Sequence, residues 1–129
     1  MQMYNADLFD PPAPIAQVTL RNPKNDDIVS NVPMLLDSGA DVTLIPSTFV
    51  NQLSVAPETD TIYELMGFDG NVSLASVVQL EMLFLNKTFR GRFLLIDQEW
   101  GVMGRDILNL LKLLFDGPNQ TWNEQKRTD

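Results

Sequence analysis

Asp37 is the carboxylate whose neighbours invite chemistry. It follows directly on the apolar run Val32-Pro33-Met34-Leu35-Leu36. Ser38, Gly39, Ala40 and Asp41 come next, and apolar residues resume through Val42-Thr43-Leu44-Ile45-Pro46. This order puts a carboxylate at the mouth of a core, on a backbone tight enough to need Gly39. Ser38 can hydrogen-bond sideways to backbone and fix the loop, and Ala40 leaves room for another chain to approach. Taken alone, Asp37 to Ala40 also reads as a plain turn between two strands. The apolar flanks and the closing Leu44-Ile45-Pro46 make the setting more specific. The chain has no His and no Cys. That removes Ser-His-Asp and Cys-His triads, thiol nucleophiles, disulfides and most transition-metal sites. Any chemistry must come from carboxylates, hydroxyls, Lys, Arg, Tyr or backbone groups, without the commonest general base.

The elements that would hold Asp37 are mostly strands. Ile15 to Leu20 and Ile28 to Leu36 form a hairpin around the turn cluster Asn22-Pro23-Lys24-Asn25-Asp26. Val42 to Ile45 resumes as strand until Pro46, and Ser47 is a good cap for a short helix through about residue 53. Ile62 to Met66 and Val72 to Leu85 flank Gly67-Phe68-Asp69-Gly70-Asn71, a strong hairpin signal. In the second arm Val78, Leu80 and Met82 share one face, with Gln79 and Glu81 on the other. Asn86-Lys87 turns the chain into Thr88 to Ile96. Val102-Met103-Gly104 is a short apolar strand. Arg105 to Leu114 reads as a helix, with an apolar stripe of Ile107, Leu108, Leu110, Leu111 and Leu114. Asp116-Gly117-Pro118-Asn119 is a turn and Gln120 to Trp122 a last short strand. Residues 1–14 form a proline-bearing extended arm with few hydrogen bonds of its own. Residues 15–124 are the folded domain, and 125–129 a polar tail.

The 129 residues suffice for one core and not for two lobes. A net charge of −8 disfavours binding to nucleic acid or to anionic lipid. The densest basic spot, Lys87, Arg90 and Arg92, reads as a solvated strand face. No apolar stretch is long enough to span a bilayer. Residues 1–14 lack the basic and apolar regions of a secretory signal, so the expected location is intracellular and cytoplasmic.

On these residues the sequence resembles the retropepsin-like aspartic peptidases, the family of retroviral and retrotransposon proteases and their bacterial relatives. One motif stands as Leu35-Leu36-Asp37-Ser38-Gly39-Ala40, continuing to Leu44-Ile45. The other stands as Val102-Met103-Gly104-Arg105-Asp106-Ile107-Leu108. The glycine-bearing hairpin lies between them, in the position of the family's flap. The resemblance spans residues 15–122, and the Asp116-Gly117-Pro118 segment looks like the bacterial branch. It implies a mostly-β fold: a closed, barrel-like subunit with a flap hairpin and one C-terminal helix, half of the pepsin-type architecture.

It also implies roles. Asp37, Ser38 and Gly39 would be the catalytic triplet. Asp37 would face its copy across a two-fold axis, and two close carboxylates cannot both ionise cheaply, so they share a proton. Ser38 would brace the two loops; most retroviral members carry Thr there. Ala40, Asp41, Leu65, Met66, Gly67, Phe68, Asp69 and Gly70 would contact substrate or form the flap. Arg105 would pair with Asp41, with Gly104 and Asp106 in support; Asp106 would cap or favour the helix N-terminus rather than do chemistry. No metal or cofactor is required. One Asp-Ser-Gly per chain and a reaction needing two carboxylates imply a homodimer acting on a peptide or protein substrate. A non-catalytic domain of the same type, serving dimerisation or peptide binding, is the alternative. An unrelated small β-barrel binding module is a third. Leu8-Phe9 is an apolar pair in a segment open to self-cleavage.

Overall fold

The computed structural model describes residues 2–58, 62–66 and 70–125. Its strands are β1 (Gln2–Asn5), β2 (Ala13–Arg21), β3 (Ile28–Leu36), β4 (Leu44–Pro46), β5 (Ile62–Met66), β6 (Val72–Phe84), β7 (Lys87–Ile96), β8 (Gly101–Met103), β9 (Leu113–Asp116) and β10 (Thr121–Glu124). Two short helices interrupt them, α1 (Ser47–Val50), continued by a 3-10 turn over Asn51–Leu53, and α2 (Arg105–Leu108). The fold is mostly β. Pairing runs β5-β6-β7-β4-β8-β3-β2-β1-β10-β9, and β6 also pairs with β2. The circuit β6-β7-β4-β8-β3-β2 therefore closes on itself.

Alternation drives the packing. Ala16, Val18 and Leu20 of β2, Val32, Met34 and Leu36 of β3, and Val78, Leu80 and Met82 of β6 all turn into one core. Met103 and Trp122 are fully buried with them. Trp122 donates its indole N–H to the Ile15 carbonyl at 3.2 Å and lies 6.0 Å from the Phe84 ring. The chain turns where local chemistry permits. The Asn22 side chain accepts from the Lys24 amide and donates to the Leu53 carbonyl, so this buried amide is satisfied.

Several expectations are corrected. The helix from Arg105 stops at Leu108 rather than Leu114. Leu110 and Leu111 follow as tight turns onto Ile107 and Leu108. Leu113–Asp116 is then claimed by the β9–β10 hairpin, whose turn is held by Asp116 accepting from both the backbone and side-chain N–H groups of Asn119. A two-strand ladder across a tight turn outweighs the helical stripe. The N-terminal segment is not a bare arm: Gln2–Asn5 is a strand bonded to both β2 and β10. Ser47 opens α1 as its first helical residue and caps nothing; Pro46 precedes it without a side-chain cap. The β6–β7 turn is Leu85-Asn86, both left-handed, one residue earlier than expected. Gln79 and Glu81 do lie on the face opposite Val78, Leu80 and Met82, but only Gln79 is exposed; Glu81 is buried. It is only 6% exposed, because Arg21 (2.7 Å) and Arg90 both pair with it.

Candidate active site

β3 and β8 run parallel, with Leu36 beside Met103. Parallel strands end on the same side, so the residues after each emerge together: Asp37 after β3, Gly104 and Arg105 after β8. The Asp37 amide prolongs the ladder by one bond, donating to the Met103 carbonyl at 3.0 Å. The chain then turns tightly, with the Ala40 amide donating to the Asp37 carbonyl at 3.1 Å. The Gly39 amide donates to Asp37 Oδ1 at 2.9 Å. A β-carbon on Gly39 would stand 3.1 Å from that same oxygen, so glycine is favoured here for space beside the carboxylate. Among the described residues the other Asp37 oxygen takes no hydrogen bond, and neither does the Ser38 hydroxyl. Asp37 is half-buried; Ser38 and Gly39 are exposed.

Arg105 ties the second strand end to this loop. Its backbone amide donates to the Ala40 carbonyl at 2.9 Å, Nη1 donates to the Ser38 carbonyl at 2.8 Å, and Nη2 pairs with Asp41. Asp41 is highly exposed, and such an ion pair contributes about 0–1 kcal/mol. The value of Arg105 is positional: it grips both shoulders of the loop. Asp106 does not cap α2. Its carboxylate accepts from the Thr43 hydroxyl at 2.6 Å and the Thr43 amide at 3.1 Å. The Thr43 hydroxyl in turn accepts from the Gly104 amide at 3.1 Å. Sequence reading passed over Thr43. The available signal was a hydroxyl inside the apolar run Val42 to Ile45, which needs a partner once buried.

Gly104 is required by closeness. Its backbone is extended, but a β-carbon there would lie 2.5 Å from the Val42 carbonyl oxygen and 2.9 Å from that of Ala40. The β5–β6 hairpin is rooted beside the same strand: Leu65, Ala75, Val77 and Leu94 pack with Leu44, next to Thr43. Met66 and Gly70 flank its tip and are exposed. Gly67, Phe68 and Asp69 lie outside the described residues. Among the described residues no three His, Cys, Asp or Glu side chains gather as a metal site, and no helix is long and apolar enough to cross a membrane.

The family model described as retroviral aspartyl protease matches residues 12–115. Among solved structures, EIAV protease complexed with the inhibitor HBY-793 superposes with a TM-score of 0.56 at 25% identity, over 75% of this chain and 86% of that one. A search of curated proteins gives no match. The match of that family model over residues 12–115, most of a chain whose single Asp-Ser-Gly follows β3, places this protein in the retroviral aspartyl protease family.

Proposed function

We propose that the chain is one subunit of a homodimeric aspartic endopeptidase that cleaves peptide bonds in extended polypeptides. The observation that carries the reading is the state of Asp37 in the single chain. One carboxylate oxygen is held by Gly39, while the other, with the adjacent Ser38 hydroxyl, is unengaged among the described residues. A second copy would supply the second carboxylate and a partner for Ser38.

In the dimer, two Asp37 carboxylates would share one proton. The ionised member takes a proton from a water held between them as its oxygen bonds to the scissile carbonyl carbon. The protonated member gives its proton to the carbonyl oxygen, producing a tetrahedral diol. The C–N bond then breaks as the amine nitrogen receives a proton and a diol hydroxyl returns one to the carboxylates. The hairpin of residues 62–76 would close over the peptide as an added strand and exclude water. Ala40, Asp41, Leu65 and Gly70 lie on the loop and hairpin that would line the cleft.

The test is cleavage of a mixed peptide library from about pH 4 to 7, with Asp37→Asn in parallel. The parent should cut and be blocked by a statine-type mimic of the diol. Asp37→Asn should lose at least about a thousandfold in rate while keeping fold and dimer. Absence of cleavage at every pH, from folded and dimeric protein, refutes the reading.

A further inference from the structure

A row of apolar side chains crosses the sheet on the face turned away from the core. Register sets Val77 beside Leu94, Leu94 beside Leu44, Leu44 beside Val102, Val102 beside Leu35 and Leu35 beside Ile15. Along their strands these residues alternate with Val78, Ile45, Met103 and Leu36 of the core. One end of the row is covered by the β5–β6 hairpin, whose Leu65 and Ala75 pack with Leu44, Leu94 and Val77. In the middle, Leu35 and Val102 are half-buried, each two residues before a site residue, Asp37 or Gly104. At the far end Ile15 is only 5% exposed, although it alternates with Ala16 and Val18 of the core. The row is thus the floor of a trough that leads to Asp37, with the hairpin as one side.

The turn from β1 to β2, residues 6–12, stands at the other side. β2 is antiparallel to β3, so its first residues, Ala13 and Pro14, lie at the end of the sheet that carries Asp37. From there the turn reaches back to Trp100, where the Phe9 ring meets the indole edge-on, with centroids 5.0 Å apart and planes at 69°. Trp100 directly precedes β8, two residues before Val102. The turn is fastened where Asn5 Oδ1 accepts from the Asp7 and Leu8 amides at 2.9 and 2.8 Å. Phe9 and Trp100 are half-buried, so both rings keep open surface, and Leu8 is 42% exposed. Nearly all of this turn lies before residue 12, where the match to the family model begins. We propose that residues 6–12 form the wall of the trough opposite the β5–β6 hairpin, and that Phe9, propped on Trp100, is a specificity-determining residue that selects a large apolar side chain of the bound polypeptide. The inference rests on the peptidase reading above. A floor of Leu35 and Val102 beside an aromatic wall sets the class of side chain. Leucine, methionine or phenylalanine gains by leaving water there, whereas a charged side chain loses its hydration without a partner.

The experiment compares the full chain with its Phe9→Ala and Phe9→Trp variants on two peptide sets. One set is cleavable; the other carries a statine-type unit at the scissile bond and is followed by calorimetry. Both sets place leucine, phenylalanine or alanine at each flanking position, and circular dichroism checks the fold. The parent should favour leucine or phenylalanine over alanine at one position. Phe9→Ala should lower that preference about tenfold, through KM rather than kcat. Phe9→Trp keeps the ring on Trp100 but thickens the wall, so it should shift the preference towards smaller apolar side chains; it decides the matter if the alanine variant does not fold. A preference that both variants leave intact overturns the proposal, as does an equal loss on every peptide, which is what a merely structural role gives. A parent that binds the statine peptides with a preference set by Phe9, yet cuts nothing, upholds the wall and sinks the peptidase reading. Cleavage with the same preference in all three chains does the reverse. A parent that neither binds nor cuts overturns both.

Discussion

Thr43 carries no charge and lies in an apolar run, yet it joins three parts of the site. Its hydroxyl donates to Asp106 and accepts from Gly104, and its amide also donates to Asp106. Thr43 is 1% exposed, so the bond it accepts from the Gly104 amide is made away from water, while Asp106 itself is exposed. Removing the hydroxyl while keeping the shape leaves the buried Gly104 amide short of a partner. Thr43→Val should therefore destabilise the chain by about 1–3 kcal/mol in urea unfolding. A value near zero would mean that water replaces the hydroxyl. Arg105 works differently. Its ion pair with Asp41 is too exposed to contribute much, and its bond to the Ser38 carbonyl is the one that positions the loop.

The site at the scale of elements is a consequence of two parallel strand ends. β3 delivers Asp37 and β8 delivers Gly104 and Arg105 to the same level because their registers match Leu36 with Met103. Close approach of β8 to its neighbours makes this possible. A β-carbon on Gly101 would meet the Leu44 carbonyl and the Met34 sulfur, and one on Gly104 would meet backbone of Val42. Backbone cannot swing aside as a flexible side chain can. Gly104→Ala should cost about 1–3 kcal/mol of stability. Because the displaced segment carries Asp41 and leads back to Asp37, it should lower cleavage more than that loss of folded protein explains. Thermal unfolding and kcat/KM measured on the same samples separate the two effects; an alanine variant with parent-like melting temperature would contradict the close packing.

Closure of the strand circuit is a property of the whole molecule. β2 meets β6 along Thr19 to Arg21, and β6 meets β7 along most of its length. Glu81 stands at this seam and gathers Arg21 from β2 and Arg90 from β7. The Arg21 hydrogen bond, opposed by burial and helped by Arg90, holds the Glu81 carboxyl below the usual carboxylate range. A carboxyl lowered on folding stabilises the fold fully above its unfolded pKa. That contribution fades as pH falls through the carboxylate range towards the lowered folded value. Glu81→Gln should thus melt below the parent at neutral pH, and the gap should narrow as pH drops from about 5 to 3. A gap that stays constant over this range would remove the ionised carboxylate from the account.

The residues by themselves determined whatever depends on neighbours in the chain. Period-two alternation gave away β2, β6 and β7, because a pleated strand with one buried face has no other pattern, and the apolar run up to Leu36 marked β3. Gly67 to Asn71 marked a hairpin, since few other residues turn a chain so sharply. An apolar strand running into Asp37-Ser38-Gly39 marked the loop. Tertiary structure alone decided the rest. The stripe from Ile107 to Leu114 fits a helix as well as a strand, and only pairing with Thr121–Glu124 draws Leu113 and Leu114 into β9. Glu81 looks like any solvated strand residue until Arg21, 60 positions away, folds over it. Thr43 looks like filler until Asp106, 63 positions away, meets it. In each case the sequence specifies a group and its needs, while the partner that meets the need arrives only when distant strands are brought side by side.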